Sequence, residues 1–92
     1  MLKQVDKINY RVVRPLGILK EDGSETKEIN LVSWNDHKPV IDIRNWKTLG
    51  ENKIALRGLT LTTEETRKLK ENIDNYLIHV DELLAEKEVK EK

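Results

Sequence analysis

The chain has 92 residues, no Cys, and seventeen basic against seventeen acidic residues, so its net charge is zero. This length predicts a single domain, and the lack of Cys excludes a disulfide scaffold, a thiolate metal site and a cysteine nucleophile. No apolar run approaches the roughly 20 residues that span a bilayer, and residues 1–13 lack the apolar segment of a signal peptide. We therefore expect a cytoplasmic protein that has no contact with a membrane.

The balanced charge hides an asymmetry along the chain. Residues 1–60 contain eleven Lys or Arg and eight Asp or Glu, whereas residues 61–92 contain six and nine. The first part is therefore the better candidate for contact with an anion. A small positive excess binds nucleic acid only where the charges cluster, so the net charge alone decides little.

The first sixty residues predict four strands joined by short turns. Apolar and β-branched residues concentrate or alternate in four segments, at about residues 8–20, 26–34, 40–46 and 53–61. Pro15 and Gly17 predict that the first strand is irregular or lies at an edge. The segment EDGSE at 21–25 contains an Asp-Gly hairpin signal, and NDHKP at 35–39 is a second turn. Short turns between consecutive strands favour an antiparallel meander.

After residue 61 the pattern becomes helical. Thr62 and Glu65 have the spacing of a capping box. Apolar residues then recur at steps of four and three in a heptad seam of Leu69, Ile73, Tyr76, Val80 and Leu83, widened by Leu77 and Leu84. We predict a helix over about 63–86 and a charged tail at 87–92 that frays. The predicted fold class is thus α+β, a four-stranded antiparallel β-meander followed by one long C-terminal α-helix.

Both Trp residues of the chain fall within residues 31–46, LVSWNDHKPVIDIRNW. Strand side chains alternate between faces, so Trp34, Arg44 and Trp46 lie opposite the apolar face that carries Ile29, Leu31, Ile41 and Ile43. Because one helix covers one face of a sheet, we expect both Trp and Arg44 to be exposed on the open face. Exposed rings beside cations suit single-stranded nucleic acid, whose bases stack on aromatic side chains. A Trp near a strand end can equally cover a loop or a dimer contact, and the pattern leaves both interpretations open.

The segments VIDIRNW and LRGLTLTTEETRKLKENI resemble the C-terminal single-stranded-DNA-binding domain of the eukaryotic transcriptional coactivator positive cofactor 4. The longer run KEINLVSWNDHKPVIDIRNW is more similar to the short prokaryotic, YdbC-type members. The resemblance covers about residues 8–80. It implies four antiparallel strands and a C-terminal helix, a homodimer formed through the helices, and single-stranded DNA bound on the sheet.

The resemblance also implies which residues bind nucleic acid. It places the Arg of the third strand on Arg44 and the Trp that follows on Trp46. The aromatic residue before the second turn falls on Trp34, and the basic residue of that turn falls on Lys38. The basic residue before the glycine of the fourth strand falls on Arg57.

Arg57 shares the parity of Leu59 and Leu61, which belong to the apolar face. Either a bulge at Gly58 turns Arg57 to the opposite face, or its side chain reaches around the end of the strand.

The helix is longer than the predicted strands, so its far end overhangs its own sheet. We expect the first half of the seam to pack on the apolar face and the second half to need a partner. The predicted dimer interface comprises Ile73, Tyr76, Leu77, Val80, Leu83 and Leu84.

No phosphate loop, nucleophile elbow or carboxylate pair occurs, and His37 and His79 are too far apart in sequence to indicate a metal site. We expect no catalysis, no cofactor, no metal and no small-molecule substrate. The sequence thus favours a sequence-independent single-stranded-DNA-binding homodimer, an accessory factor of transcription, replication or repair, with RNA left open as a ligand. The alternative is a protein-interaction module that uses an exposed Trp face.

Overall fold

A computed structural model describes the backbone of residues 9–91 and the side chains of residues 9–85. It contains four strands and two helices: β1 Tyr10–Asp22, β2 Glu25–Trp34, β3 Val40–Leu49, β4 Asn52–Leu61, α1 Thr63–Ile78 and α2 Val80–Glu91. The strands form one antiparallel sheet in the order β1-β2-β3-β4, which confirms the predicted meander. Residue 8, the predicted start of the first strand, and residue 92 lie outside the described part. No helix in the described part is long and apolar enough to cross a membrane.

The turns follow the predicted signals. Gly23 and Ser24 connect β1 to β2, and Gly23 takes the positive φ of 63° that a tight hairpin requires. In the second turn, at 35–39, Asn35 and Asp36 both adopt positive φ, which these two residue types tolerate better than most. Because all connections are short, consecutive strands can only pair as neighbours.

The first strand is bulged three times. Its thirteen residues face the ten of β2, and register shifts leave Val13, Leu16 and Leu19 without a direct partner. Each bulge bends a strand and increases its right-handed twist. A fourth irregularity lies between β3 and β4, where Leu56 and Arg57 together face Asn45. The sheet is therefore strongly coiled.

The register defines two faces. The outer face carries cross-strand pairs such as Ile29 with Ile43 and Leu31 with Ile41, which Leu59 and Leu61 extend onto β4. The inner face carries Glu28, Asn30, Val32, Trp34, Asp42, Arg44 and Trp46. This division confirms the predicted alternation, because both Trp and Arg44 lie opposite the apolar face.

The coil of the sheet encloses the inner face. Tyr10 pairs with Trp34 at one end of β2, and Lys53 pairs with Thr48, which lies beside the other end of β2. These two residues stand at diagonally opposite corners, yet the Tyr10 hydroxyl donates a hydrogen bond to the Lys53 carbonyl oxygen at 3.5 Å. Five of the six most buried residues of the described chain consequently lie inside the coil: Val32, Trp46, Asp42, Asn30 and Glu28. The sixth, Ser33, has the parity of the outer face.

Glu28 is the centre of a buried polar network. Its carboxylate accepts hydrogen bonds from Thr26 Oγ1 at 2.6 Å and Asn30 Nδ2 at 3.3 Å, and it forms an ion pair with Lys53 Nζ at 2.8 Å. Burial alone raises the pKa of the Glu28 carboxyl, but the bonds from Lys53, Thr26 and Asn30, with the Lys53 charge, bring it below its ordinary value of 4.5. The carboxylate is therefore held ionised.

The helical region begins as predicted but does not continue as one helix. Thr62 Oγ1 accepts from the Glu65 backbone N–H at 3.0 Å, and Glu65 Oε1 accepts from the Thr62 N–H at 2.9 Å, so the capping box is present. The single helix predicted over 63–86 is interrupted at His79, whose N–H is shared between the carbonyls of Asn75 at 3.3 Å and Tyr76 at 3.1 Å. Helix α2 then runs to Glu91, so the tail predicted at 87–92 is helical over its described residues.

The packing predicted for the seam is also wrong within one chain. Helix α1 contains no buried residue, and it touches only β3 and β4 of the sheet. Leu59 of the outer face is 52% exposed, and Ile73 of the seam is 44% exposed. The radius of gyration is 17.0 Å, against about 12 Å for a compact chain of this length. The helix therefore leaves both the seam and the outer face incompletely covered.

Gly58 is required where β3 and β4 approach closely. A Cβ at this position would collide with the Arg44 Cβ, and it would lie 2.5 Å from the Ile43 carbonyl oxygen. Both obstacles belong to the backbone or its first side-chain atom, so neither can move without displacing β3.

We predict that Gly58→Ala destabilises the fold by about 1–3 kcal/mol, the usual range for overpacking in a rigid site. Gly17→Ala is the matched control, because a Cβ there meets the Ile29 Cγ2 at an ordinary 3.7 Å. Urea unfolding of the two variants measures the difference. Equal free energies of unfolding would show that β3 yields at this point.

We predict that the free energy of unfolding contains a component from Glu28 that is complete above about pH 4.5 and is lost as the pH falls through the lower pKa of the folded protein. Glu28→Gln should remove this component, so the stability of the variant should fall less steeply between about pH 5 and pH 3. Urea unfolding across that range tests it, with the exposed Glu51→Gln as control. Parallel curves for wild type and Glu28→Gln would contradict the assignment.

Candidate nucleic-acid interface

Five side chains of the inner face form a continuous row of cations and rings. The Arg44 guanidinium carbon lies 4.8 Å from the Trp34 ring centroid. The Tyr10 ring follows, with its centroid 5.4 Å from that of Trp34 and 5.7 Å from that of Trp46. Lys53 Nζ ends the row 5.4 Å from the Trp46 ring. We call this set the aromatic row; it contains three rings with a cation at each end.

Arg44 is held rigidly at its end of the row. Its Nε donates to both carboxylate oxygens of Asp42 at 2.7 and 3.0 Å, and its Nη2 donates to Asp42 Oδ2 at 2.7 Å. Its Nη1 donates to the Leu56 carbonyl oxygen at 2.8 Å. Asp42 is 0% exposed, so the bidentate guanidinium satisfies a charge that has no access to water. The pairing therefore fixes the guanidinium over Trp34.

Lys53 forms the other end of the aromatic row and lies at the edge of the inner face. Its side chain is about half exposed, yet its ammonium reaches the buried Glu28. The two hairpin strands β3 and β4 bring Lys53 opposite Thr48, on the same face as Trp46. The Lys53 ammonium thus contacts the buried Glu28 carboxylate and the Trp46 ring while it remains accessible to solvent.

The predicted exposure of the inner face is wrong. Trp46 is only 2% exposed, Trp34 is half-buried, and the Arg44 side chain is 15% exposed. The indole N–H groups of both Trp are buried and have no hydrogen-bond acceptor in the described part of the chain. The prediction failed because it assumed a flat sheet with one wet face, whereas the coiled sheet covers its own inner face.

The structure brings three of the five proposed binding residues together: Trp34, Arg44 and Trp46. Lys38 is exposed in the turn that follows Trp34, at the same end of the sheet. Arg57 is exposed and lies within the bulge, where it and Leu56 together face Asn45, so simple alternation does not assign its side chain to a face. The predicted bulge next to Gly58 is therefore present, and the role of Arg57 in binding stays a prediction.

The residues predicted to form a dimer interface lie along α1 and α2. Ile73, Tyr76, Leu77, Leu83 and Leu84 are between 43% and 58% exposed, and Val80 is half-buried. Their side chains thus remain available to a partner, and their role in a dimer stays a prediction.

Sequence reasoning missed Tyr10 and Lys53. Tyr10 is 39% exposed, so it is the most accessible ring of the aromatic row. The alternation of β1 carries no usable signal, because three bulges break its parity. Only the meeting of opposite corners of the sheet brings Tyr10 to Trp46, and no local pattern predicts such a contact. Lys53 reaches Trp46 through the register of β3 and β4.

Comparison with known protein families places this chain in a family whose members bind nucleic acid. The family described as Transcriptional Coactivator p15 (PC4) matches residues 21–72, more than half of the chain. The match includes every member of the aromatic row except Tyr10. No curated protein matches the chain, so its similarity to the YdbC-type members in particular stays a prediction. The family match, with which the antiparallel sheet followed by a helical region agrees, shows that the chain belongs to the PC4 family of nucleic-acid-binding transcriptional coactivators.

Proposed function

We propose that the protein is a non-enzymatic, sequence-independent single-stranded-DNA-binding protein that acts as a homodimer. The aromatic row of a PC4-family chain is the observation that carries this proposal. Its role would be that of an accessory factor in transcription, replication or repair. We place it in the cytoplasm, and on the nucleoid if the organism is prokaryotic.

The chemistry of the row suits an unpaired strand. Every base has a ring face that can stack on an aromatic side chain, and a duplex hides those faces. Tyr10 and the half-buried Trp34 are the accessible rings, whereas the buried Trp46 packs against Tyr10. Because ring faces and cations carry no pattern of donors and acceptors, the contacts are tolerant of sequence. RNA offers the same faces and phosphates, so it is a secondary ligand of this proposal.

Arg44 can contact a phosphate without leaving Asp42. A guanidinium has five N–H groups, and the contacts to Asp42 and Leu56 use three of them. The remaining two, one on each Nη atom, can donate to a phosphate oxygen. Lys38 and Lys53 add mobile cations at the turn and at the rim.

The alternative of a peptide-docking face on exposed Trp rings is less well supported. It requires accessible indoles, and Trp46 is nearly inaccessible. An anionic strand, in contrast, uses both cations of the aromatic row.

A homodimer would complete the fold. The outer face is only partly covered, and the seam of α1 and α2 is largely exposed. Monomeric proteins rarely leave apolar surface of this extent in water, and a twofold partner covers a patch with its own copy.

We predict much tighter binding of oligo-dT than of duplex DNA of equal length, because only the single strand offers free ring faces. Fluorescence anisotropy of labelled oligonucleotides measures both affinities under the same salt conditions. Equal affinity for the duplex would reject stacking as the basis of binding.

We predict that Lys38→Gln lowers the slope of log affinity against log salt concentration by about 0.7, the value of one phosphate contact on a single strand. Lys38 is exposed and forms no ion pair within the described residues, so the melting temperature should not change. Lys68→Gln, an exposed change of the same kind on α1, should leave the slope as it is. An unchanged slope in Lys38→Gln would place the turn outside the path of the strand.

We predict that Leu83→Asp converts a dimer to monomers, because a carboxylate without a counter-charge is strongly disfavoured in an apolar interface. Asn72→Asp adds the same charge at an exposed polar position of α1 and is the control. Sedimentation equilibrium at micromolar concentration decides the matter. A monomeric wild-type protein, or a dimeric Leu83→Asp variant, would refute the interface.

A further inference from the structure

A cleft of about 320 Å³ opens on the inner face beside the aromatic row. The residues Tyr10, Val12 and Pro15 of β1 form one wall, and Trp46 forms another. Lys53 stands at its rim, and Glu28 and Asn30 line it from β2. This volume is at the lower end of the range for small-molecule sites, so it suits a small ring system.

The two polar residues of the cleft differ in what they can still bind. The Glu28 carboxylate already accepts from Thr26, Asn30 and Lys53, so its oxygens are occupied. The Asn30 amide donates one N–H to Glu28 at 3.3 Å, and its second N–H and its carbonyl oxygen form no hydrogen bond in the described part of the chain. Asn30 is 3% exposed and lines the cleft, so a group bound there can meet this free amide edge.

The ligand that complements this cleft is flat, has apolar faces, carries adjacent donors and acceptors on one edge, and is attached to an anion. A nucleotide has all four properties. Its ring can stack on Tyr10, and its phosphate can meet Lys53. Its edge can pair with an amide through one donor and one acceptor, as adenine does with N6 and N7 and thymine with N3 and O4. Tyr10 contacts both Trp rings at tilts of 47° and 58°, so it is not stacked on either of them.

We propose that this cleft holds one nucleobase of the bound strand, with Tyr10 as its stacking platform and the Asn30 amide as the partner of its edge. This site rests on the proposed function, since the base is presented by a single strand. It assigns binding roles to two residues outside the set implied by the family resemblance.

The test compares oligo-dT of about 12 nucleotides with an abasic strand of the same length and charge, each titrated against wild type, Tyr10→Leu and Tyr10→Phe. We expect wild type and Tyr10→Phe to prefer the base-containing strand by at least about fivefold, the lower limit of one stacked base, and Tyr10→Leu to reduce that preference by about fivefold or more. The ratio is measured within each variant, so a moderate loss of stability does not affect it.

The side-chain amide of Asn30 provides a second readout that requires no substitution. Its NMR resonances should shift on addition of oligo-dT and stay in place with the abasic strand. Thymidine monophosphate is the control for a free-nucleotide site; if it shifts these resonances at the concentration at which oligo-dT does, the assignment to a base of the strand is overturned.

The failures can be distinguished. If the wild-type protein binds oligo-dT and Tyr10→Leu keeps the same preference for it over the abasic strand, the cleft does not hold a base and the proposed function stands. The same conclusion follows if the Asn30 amide resonances do not respond to oligo-dT. A wild-type protein that binds neither strand overturns the proposed function, and the cleft with it.

Discussion

The coiling of the sheet onto itself is the constraint from which the other features follow. The β2 partners of Tyr10 and Trp46 are Trp34 and Thr26, eight residues apart, which is about 26 Å along a flat strand. The two ring centroids are nevertheless 5.7 Å apart. Only strong curvature brings them together, and the bulges supply it. Burial of Trp46, closure of the corners and formation of the aromatic row are then consequences of one deformation.

The same residues maintain the fold and form the candidate binding surface. Arg44 neutralises the buried Asp42 and presents two further N–H groups, and Lys53 neutralises Glu28 at the rim of a cleft. A substitution at either cation therefore leaves a buried carboxylate unpaired as well as removing a contact to phosphate. Affinity measured on such variants is informative only beside their stability, whereas Lys38 separates the two effects because it is exposed in a turn.

The parts of the fold that depend on local pattern could be predicted, and those that depend on curvature could not. The turns at Gly23 and at 35–39, the cap at Thr62 and the division of faces follow from residue type and alternation. The predicted exposure of Trp46 is wrong because alternation indicates on which face of the sheet a residue lies, but not whether the sheet curls over that face. The interruption at His79 occurs without Pro or Gly, so no helix-breaking residue announces it. Tyr10 was missed because bulges disturb the parity of β1.

The bulges of the first strand affect the tendency of the protein to aggregate. An edge strand with free N–H and C=O groups is a template on which other chains can add strands and grow into cross-β aggregates. The β1 edge has three bulges and Pro15, which lacks an N–H, so its hydrogen-bonding groups do not form the even ladder that an incoming strand needs. The strand exposes Val13, Leu16 and Leu19, and on a regular edge strand these apolar side chains would favour aggregation. The irregularity that curls the sheet thus also protects it against fibrous polymerisation through β1.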